Sequence, residues 1–263
     1  MLEKNQLILT NDYCINFNPK NSKLKYSVEI DIDDNVNLNI ISYNVEVSYT
    51  KEPINKYYLA EVIITNFRLN FQTPDAVMEI LALKCRESIE KCIFRINTKN
   101  EIIEIENHQE ILQRWYTIKE SLIHENEGEI FEKYISIFEN NILNEDSLLV
   151  KIKKNLFINQ YFFPIFNEPY HNLNKNNDEQ FSFFNLDYQE QVVLEVENKG
   201  IFDENEMAII SKKLMVNKEK HLLLPVESYA SKYILNKNTE IAIIEGAFSN
   251  FNNKYSYKVE LIN

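Results

Sequence analysis

Two stretches of alternating apolar and polar residues, one near each end of the chain, most constrain what this chain can fold into. Near the N-terminus the alternation runs from Tyr26 to Ile32 and ends in the turn-like sequence Asp33–Asn35. A side-chain period of two is typical of a β-strand with one buried face. Near the C-terminus, residues 240–248 and 255–261 flank a polar turn, and the second run has the same period. Antiparallel strands are therefore predicted at both ends.

The N-terminal strand is followed by two further apolar runs. The first extends from Val36 to Tyr49, and its phase changes near Ile40, which predicts a β-bulge or a strong twist there. The second, residues 57–71, is apolar on both faces. Together the three runs predict an antiparallel meander.

The middle of the chain has helical spacing. Thr73-Pro74-Asp75 supplies a capping hydroxyl, a proline and an acid in the order that begins a helix. A hairpin is predicted next, from residues 93–97 and 102–105, and the capping-box pattern of Asn107 and Glu110 begins a second helix. Apolar residues spaced three and four apart predict two more helices: Phe131, Tyr134, Ile135 and Phe138, then Leu148, Ile152 and Leu156.

These patterns predict an α+β fold, with antiparallel β-meanders at the N- and C-terminal ends and a central group of helices packed on the sheet. We divide the chain into a β-meander plus helical region (1–157), an aromatic and polar connecting segment (158–190) and a C-terminal α+β region ending in a hairpin (191–263). One continuous domain is the alternative.

The C-terminal region contains three shorter patterns. Residues 192–196 resemble a strand. A capping-box pattern, Asp203 to Glu206, favours a helix over residues 203–216, and residues 226–235 fit either state.

Charge and targeting signals limit the class of protein. The formal net charge is −12, which argues against nucleic acid as a partner because phosphate contacts need clustered Lys and Arg. The sequence has no apolar stretch of signal-peptide or membrane-spanning length, and three cysteines do not make a disulfide framework. We expect a cytosolic protein, and its many Asn, Lys and Ile residues suggest an AT-rich bacterial genome.

Glycine is scarce, and its positions exclude several catalytic motifs. The three glycines, Gly128, Gly200 and Gly246, lie far apart in the sequence. A P-loop, a dinucleotide-binding turn or a nucleophile elbow needs at least two glycines within a few residues. We therefore expect no catalytic residues and no cofactor.

Cys85 and Cys92 enclose the most site-like short stretch, CRESIEKC. In one helix seven residues span about 10.5 Å at ~1.5 Å per residue, whereas a disulfide needs Cα atoms within about 7 Å. No Cys-x-x-Cys pair or nearby histidine completes a zinc site. The prediction is that both thiols pack in the core around a helix end.

Two other metal-like patterns are incomplete. Asp31, Asp33 and Asn35 fall at the first positions of a calcium loop, but the sixth position is Val36 instead of glycine. His108-Gln109-Glu110 matches half of a zinc-deaminase signature without the required second half. A solvated strand turn and a first helical turn explain them better, so we predict no metal site.

Two groups of residues are candidates for partner binding. Residues 101–146 contain twelve acidic side chains against three basic ones, and an acidic face of this kind would attract a basic protein; an ordinary solvated helical face is the alternative. Dense aromatics after residue 160 resemble interface anchors, or else fasten a long loop onto the core. The candidates are Glu120, Glu125, Glu127, Glu129, Glu132, Tyr161, Phe162, Phe163, Phe166 and Tyr170.

Three functional hypotheses follow. The first is a non-enzymatic protein-binding protein of a bacterial cytosol, such as an immunity protein that neutralises a basic toxin or an adaptor for an effector. The second is a carrier of an apolar small molecule enclosed by the sheet and its helices. The third is a carboxylate or histidine hydrolase, which would need a pocket with at least two convergent ionisable groups.

Overall fold

A computed structural model describes most of the chain. It covers residues 13–20, 22–51, 57–167, 169–170, 175–181, 192–202, 208–214, 228–249 and 253–262, with the backbone alone at residues 13, 169–170, 175–181, 192–202, 208 and 214. In chain order the elements are β1 (Tyr13–Cys14), β2 (Leu24–Asp33), β3 (Leu38–Lys51), β4 (Tyr58–Leu69), α1 (Val77–Glu87), β5 (Lys91–Ile96), β6 (Ile102–Ile105), α2 (His108–Glu125), α3 (Glu129–Leu143), α4 (Glu145–Lys153), α5 (Leu156–Tyr161), β7 (Pro169–Tyr170), β8 (Lys175–Phe181), β9 (Val192–Phe202), β10 (Ala208–Leu214), β11 (Ser228–Leu235), β12 (Ile241–Ser249) and β13 (Lys254–Ile262).

Eleven of the strands form one antiparallel sheet made of two meanders. Its order is β6-β5-β4-β3-β2-β13-β12-β11-β10-β9-β8. The N-terminal and C-terminal meanders meet where β13 pairs with β2, with Tyr257 opposite Ile30. Strands β1 and β7 form a separate two-stranded sheet. The predicted α+β fold, with strands at both ends and helices in the centre, is confirmed.

The core lies between the sheet and the helices. Strand β2 buries Tyr26, Val28 and Ile30 and leaves the alternate residues more exposed, as expected for a strand with one covered face. Helix α2 contributes the fully buried Trp115. The short helix α5 is almost wholly buried against the strands, so it forms the innermost part of the helical layer.

Helix α4 covers the edge of the sheet at β6. The carboxylate of Glu145 accepts a hydrogen bond from the backbone N–H of Ile105 (3.4 Å), and the ammonium of Lys153 donates one to the carbonyl of Ile102 (3.1 Å). An uncovered strand edge is a site for pairing with other chains. Side chains from the two ends of α4 therefore block this edge.

Three predicted details differ from the structure, and one is the capping box at Asn107: α2 begins at His108 without a side-chain cap, and the Asn107 amide bonds to the backbone of Lys91 and Ile93 instead. The register between β3 and β4 shifts between Ser42 and Asn44 rather than at Ile40, while β3 pairs with β2 without a shift. The early apolar residue Val36 lies exposed in the turn, which explains the change of phase. Helix α1 begins at Val77 without a side-chain cap, so the capping prediction at Thr73 is wrong although the helix itself is present.

The helix predicted over residues 203–216 is wrong where the structure describes it, because Ala208–Leu214 is strand β10. This strand pairs with β9 on one side and β11 on the other. Pairing on both edges outweighs a weak local preference for helix. Residues 226–235, which fitted either state, contain strand β11. The division of the chain into three regions stays a prediction.

Candidate functional site

A cavity of about 520 Å³ lies between the sheet and helices α1, α3, α4 and α5. Its floor is the inner face of β4 and β5, and its walls are apolar side chains of the helices. The apolar lining residues are Val62, Ile64, Ile89, Phe94, Phe138, Ile142, Leu148, Ile152 and Ile158, with the thiol of Cys92 among them. A volume of this size is typical of small-molecule sites, which are concave and mostly apolar.

The floor of the cavity follows from strand alternation. Strand β5 turns Cys92, Phe94 and Ile96 inward, and Val62 of β4 stands opposite Cys92 in the ladder. Both positions carry small side chains, which extend less far from the sheet into the cavity than larger side chains would. Burial raises the pKa of Cys92 to about 12, which keeps the thiol neutral and makes it part of the apolar lining.

Charged side chains line the cavity where it opens to solvent. Lys151 is exposed, while Arg86, Glu90 and Lys154 are half-buried. The guanidinium of Arg86 lies 5.2 Å from the centroid of the Phe67 ring, and within the described part of the chain it has no hydrogen-bond partner. Burial lowers the pKa of Arg86, and the nearby Tyr43 and, to a smaller extent, Glu90 oppose this effect. The opening therefore carries more positive than negative charge.

The position of α5, which supplies Ile158 to the cavity wall, is fixed by a cluster of hydroxyl groups around Gln160. The side-chain carbonyl oxygen of Gln160 lies within hydrogen-bonding distance of four hydroxyls, which share it as an acceptor: Tyr229 (3.3 Å), Ser231 (3.3 Å), Tyr233 (3.1 Å) and Tyr257 (2.9 Å). All four residues are on β11 and β13. These bonds hold α5 to the C-terminal meander.

The next residue, Tyr161, holds α5 to the N-terminal meander. Its hydroxyl lies 3.3 Å from that of Tyr26 and accepts a hydrogen bond from Tyr49 at 3.1 Å. The amide nitrogen of Asn100, in the β5–β6 turn, donates a bond of 2.8 Å to the Tyr161 carbonyl. Adjacent residues of one short helix therefore tie both halves of the sheet together behind the cavity.

The five predicted glutamates are all exposed and lie at one end of the α2–α3 pair. Glu120 and Glu125 are in the second half of α2, Glu127 is in the connecting turn, and Glu129 and Glu132 begin α3. We call these residues the acidic tip. Two apolar residues in the same stretch are also exposed, Ile123 (55%) and Ile130 (73%). The structure therefore groups these five residues, and their binding to a partner stays a prediction.

Four of the five predicted aromatic anchors lie in the core. Tyr161, Phe162, Phe163 and Phe166 are each at most 6% exposed. Phe162 contacts Phe94, Phe166 contacts Phe17, and the ammonium of Lys212 lies 3.7 Å from the Phe163 ring centroid. Because they are buried, these four rings are not accessible to a partner. They instead fasten the segment onto the core, as the alternative interpretation predicts. For Tyr170 the side chain lies outside the described residues.

The cysteine prediction is confirmed. Cys85 and Cys92 are both free and buried in the core. Helix α1 ends at Glu87, between the two cysteines, and Cys92 belongs to β5. Burial raises the pKa of Cys85 to about 11. Both thiols are therefore packing residues.

The calcium-like and deaminase-like patterns also have structural roles. In the β2–β3 turn the Asp33 carboxylate accepts a hydrogen bond from the backbone N–H of Asn35 (2.8 Å), and the Asp31 carboxylate accepts one from the Ser256 hydroxyl (3.0 Å). The Nε2 atom of His108, in the first turn of α2, lies 2.8 Å from the carbonyl oxygen of Ile142. Among the residues that the structure describes, no group of three or more His, Cys, Asp or Glu side chains is placed to hold a metal ion.

Several apolar lining residues belong to predicted helical stripes, but the charged residues of the opening and the glutamine that holds α5 gave no signal of a site in the sequence. Arg86 and Lys151 are ordinary basic residues near the ends of their helices, and Gln160 lies inside the aromatic stretch. No helix in the described ranges has both the length and the apolar character needed to cross a membrane. Comparison with protein-family models gives no match to this chain, and comparison with curated proteins gives no similar protein.

Proposed function

We propose that this protein binds an apolar small molecule in the cavity between the sheet and helices α1, α3, α4 and α5, and acts as its carrier. The single observation that carries the proposal is the cavity itself, about 520 Å³ in volume and lined mainly by aliphatic and aromatic side chains. Burial of apolar ligand surface in such a site contributes roughly 25 cal/mol per Å² removed from water.

The packing around the cavity supports a preformed site. Its inner wall includes α5, which is held to both halves of the sheet by the bonds of Gln160 and Tyr161. Small-molecule sites are usually formed before the ligand arrives, because ordering the protein on binding costs affinity. A rigid wall keeps the cavity open against collapse.

Binding of a neutral solvatochromic dye tests this proposal, because such a dye fluoresces strongly only in an apolar environment. We expect saturable binding to the unmodified protein. The variant Ile89→Trp adds volume at a half-buried wall position and should weaken dye binding at least tenfold. The matched control Ile137→Trp adds the same side chain at an exposed position of α3 and should leave it unchanged.

The proposal fails if the folded protein binds no dye, or if both tryptophan variants bind it equally to the unmodified protein. Thermal unfolding of each variant establishes that it is folded. A loss of dye binding in both variants would also count against the cavity as the site.

A second candidate function is binding of a basic protein by the acidic tip, as in an immunity protein or an effector adaptor of a bacterial cytosol. The observation that favours it is the exposure of all five glutamates at one end of the α2–α3 pair. Charges grouped in this way raise the association rate with a partner of opposite sign, and salt weakens the effect.

Charge reversal tests the second candidate. Retention of a partner from native cell extract at low salt should be lost in the double variant Glu127→Lys/Glu129→Lys. The control Glu29→Lys/Asp75→Lys makes the same change in net charge at exposed positions outside the acidic tip and should retain the partner. Equal retention by both variants would contradict this candidate.

A further inference from the structure

We infer that the ligand of the cavity is an anionic amphiphile, an unbranched acyl chain with one carboxylate, whose head group is bound by Arg86 at the opening. This inference rests on the proposed function and specifies the ligand's chemistry. It is carried by the charge of the opening, by the position of the Arg86 guanidinium and by the apolar interior.

The charge of the opening is opposite to that of the protein. The whole chain has a formal net charge of −12, yet Arg86 and Lys151 outnumber Glu90 among the charged residues that line the cavity, even without Lys154, which interacts with another group. An anionic ligand is therefore attracted at the opening, and the positive potential there discriminates against a cationic one.

Arg86 is placed to bind a carboxylate. It lies in the last turn of α1, and its guanidinium is positioned over the Phe67 ring, which limits its freedom. Within the described ranges its N–H donors have no hydrogen-bond partner, although the side chain is half-buried. A guanidinium presents a planar fork that matches the two oxygens of a carboxylate. The exposed Lys151 adds a second positive charge to the lining of the cavity.

The interior suits an acyl chain. Behind the opening the walls are aliphatic and aromatic, with the neutral Cys92 thiol on the floor. None of the polar side chains that line the cavity comes from the strands that form its floor: they belong to α1, α3, α4, the turn after α1 and the α4–α5 connection, and they are Arg86, Glu90, Asn141, Lys151, Lys154 and Asn155. An interior without a buried polar partner favours a tail without polar groups.

Displacement of the neutral dye by matched amphiphiles tests the inference. The probes are saturated monocarboxylates of ten to sixteen carbons and the primary alcohols of the same lengths, each used below the concentration at which it aggregates. We expect each carboxylate to bind about 10- to 100-fold more tightly than its alcohol, as charge-assisted hydrogen bonds require. Affinity should rise about tenfold per two methylenes until the chain fills the cavity.

Substitutions at the opening assign this preference to Arg86. Arg86→Gln should reduce carboxylate affinity about 10- to 100-fold and leave alcohol affinity unchanged, while Arg86→Lys should restore part of the loss. The matched control Lys84→Gln removes an exposed positive charge from the same helix outside the cavity and should change neither affinity.

The outcomes separate the two proposals. If the dye binds but carboxylates and alcohols displace it equally, or if Arg86→Gln weakens both to the same extent, the head-group inference is overturned and the apolar site remains. If neither the dye nor any carboxylate binds the folded protein, the proposed function itself fails.

Discussion

The hydroxyl of Tyr257 donates a hydrogen bond of 2.9 Å to the side-chain oxygen of Gln160, and so connects strand β13 to helix α5. Both residues are buried. The Gln160 amide nitrogen donates to Asn159 at 2.7 Å, which fixes the orientation of the amide. Its oxygen is therefore directed at the hydroxyls of β11 and β13. In this way Gln160 fixes the α5 wall of the cavity to the C-terminal meander, as Tyr161 fixes it to the N-terminal one.

Replacing Gln160 by methionine should destabilise the protein by about 2–4 kcal/mol. Methionine has a similar length but offers no strong acceptor, so buried hydroxyls lose their partner, and each unsatisfied group costs about 1–3 kcal/mol. Denaturant unfolding followed by circular dichroism measures the change. The control Gln113→Met, at an exposed position of α2, should alter the free energy of unfolding by less than about 0.5 kcal/mol. Equal stability of the two variants would contradict the role of Gln160.

Replacing Gly246 by alanine should also destabilise the protein, because the Tyr257 ring crosses this glycine on the neighbouring strand. An added Cβ would lie 2.5 Å from both the Ala230 carbonyl oxygen and the Tyr257 hydroxyl. Overpacking of a buried site costs about 1–3 kcal/mol, and more where backbone has to move. We expect a loss near the upper end, measured by thermal unfolding.

Gly128 provides the contrasting case for that measurement. Its φ is +118°, and an added Cβ would have no neighbour within 4 Å. Gly128→Ala should therefore cost about 1–3 kcal/mol, from backbone strain alone and without a steric clash. If Gly128→Ala were the more damaging substitution, the close approach of Tyr257 to Gly246 would not be the dominant constraint.

Thiol labelling should distinguish Cys14 from the other two cysteines. Cys14 is exposed, whereas burial raises the pKa of Cys85 to about 11 and that of Cys92 to about 12. Because the thiolate is the reactive form, a disulfide reagent at pH 8 should modify one thiol quickly in the native protein and all three in denaturant. The variant Cys14→Ser should have no fast phase. Rapid labelling of Cys85 or Cys92 would contradict this prediction, and labelling of Cys92 in particular would show that the reagent reaches the cavity floor.

Alkaline pH should destabilise the fold. Burial raises the pKa of Tyr43 and Tyr161 to about 12, whereas the pKa of tyrosine in the unfolded chain is about 10. Between these values the unfolded state binds fewer protons, so the free energy of unfolding falls as pH rises, by up to about 1.4 kcal/mol per pH unit for each such group. Below pH 10 the buried tyrosines make their full contribution to the free energy of unfolding.

Urea unfolding at pH 8 and pH 11 measures this dependence. The midpoint should be lower at pH 11, and phenolate absorbance should increase together with unfolding. Tyr43→Phe should reduce the difference between the two midpoints because one raised pKa is removed. An unchanged midpoint across this range would contradict the burial of these phenols.

Much of the fold could be predicted from the sequence, because the spacing of apolar residues along the chain determines several of the strands and helices. The alternation from Tyr26 to Ile32 matches β2, and the apolar spacing of Leu148 and Ile152 matches the buried face of α4. Strand β10 was missed because its seven residues, Ala208–Leu214, have no strong alternation, and its conformation is set by pairing with β9 and β11. Such long-range pairing outweighs local preference.

The candidate site could not be predicted in the same way. The cavity is formed by α1, α3, α4, α5 and two strands, and no short sequence pattern brings Arg86 near Lys151. The density of aromatics after residue 160 was visible, but density alone does not distinguish a buried ring from an exposed one. The acidic tip was easier to identify, because its glutamates are close together in the sequence as well as in space.

The pairing of β13 with β2 at the centre of the sheet affects how the chain can fold while it is being synthesised. The hydroxyl of Ser256 donates to the Asp31 carboxylate across a separation of 225 residues. Contacts this distant in sequence form slowly, and unpaired strands invite aggregation. On the ribosome, the N-terminal meander is made long before its neighbour, so the nascent chain has to protect the open side of β2 until β13 emerges.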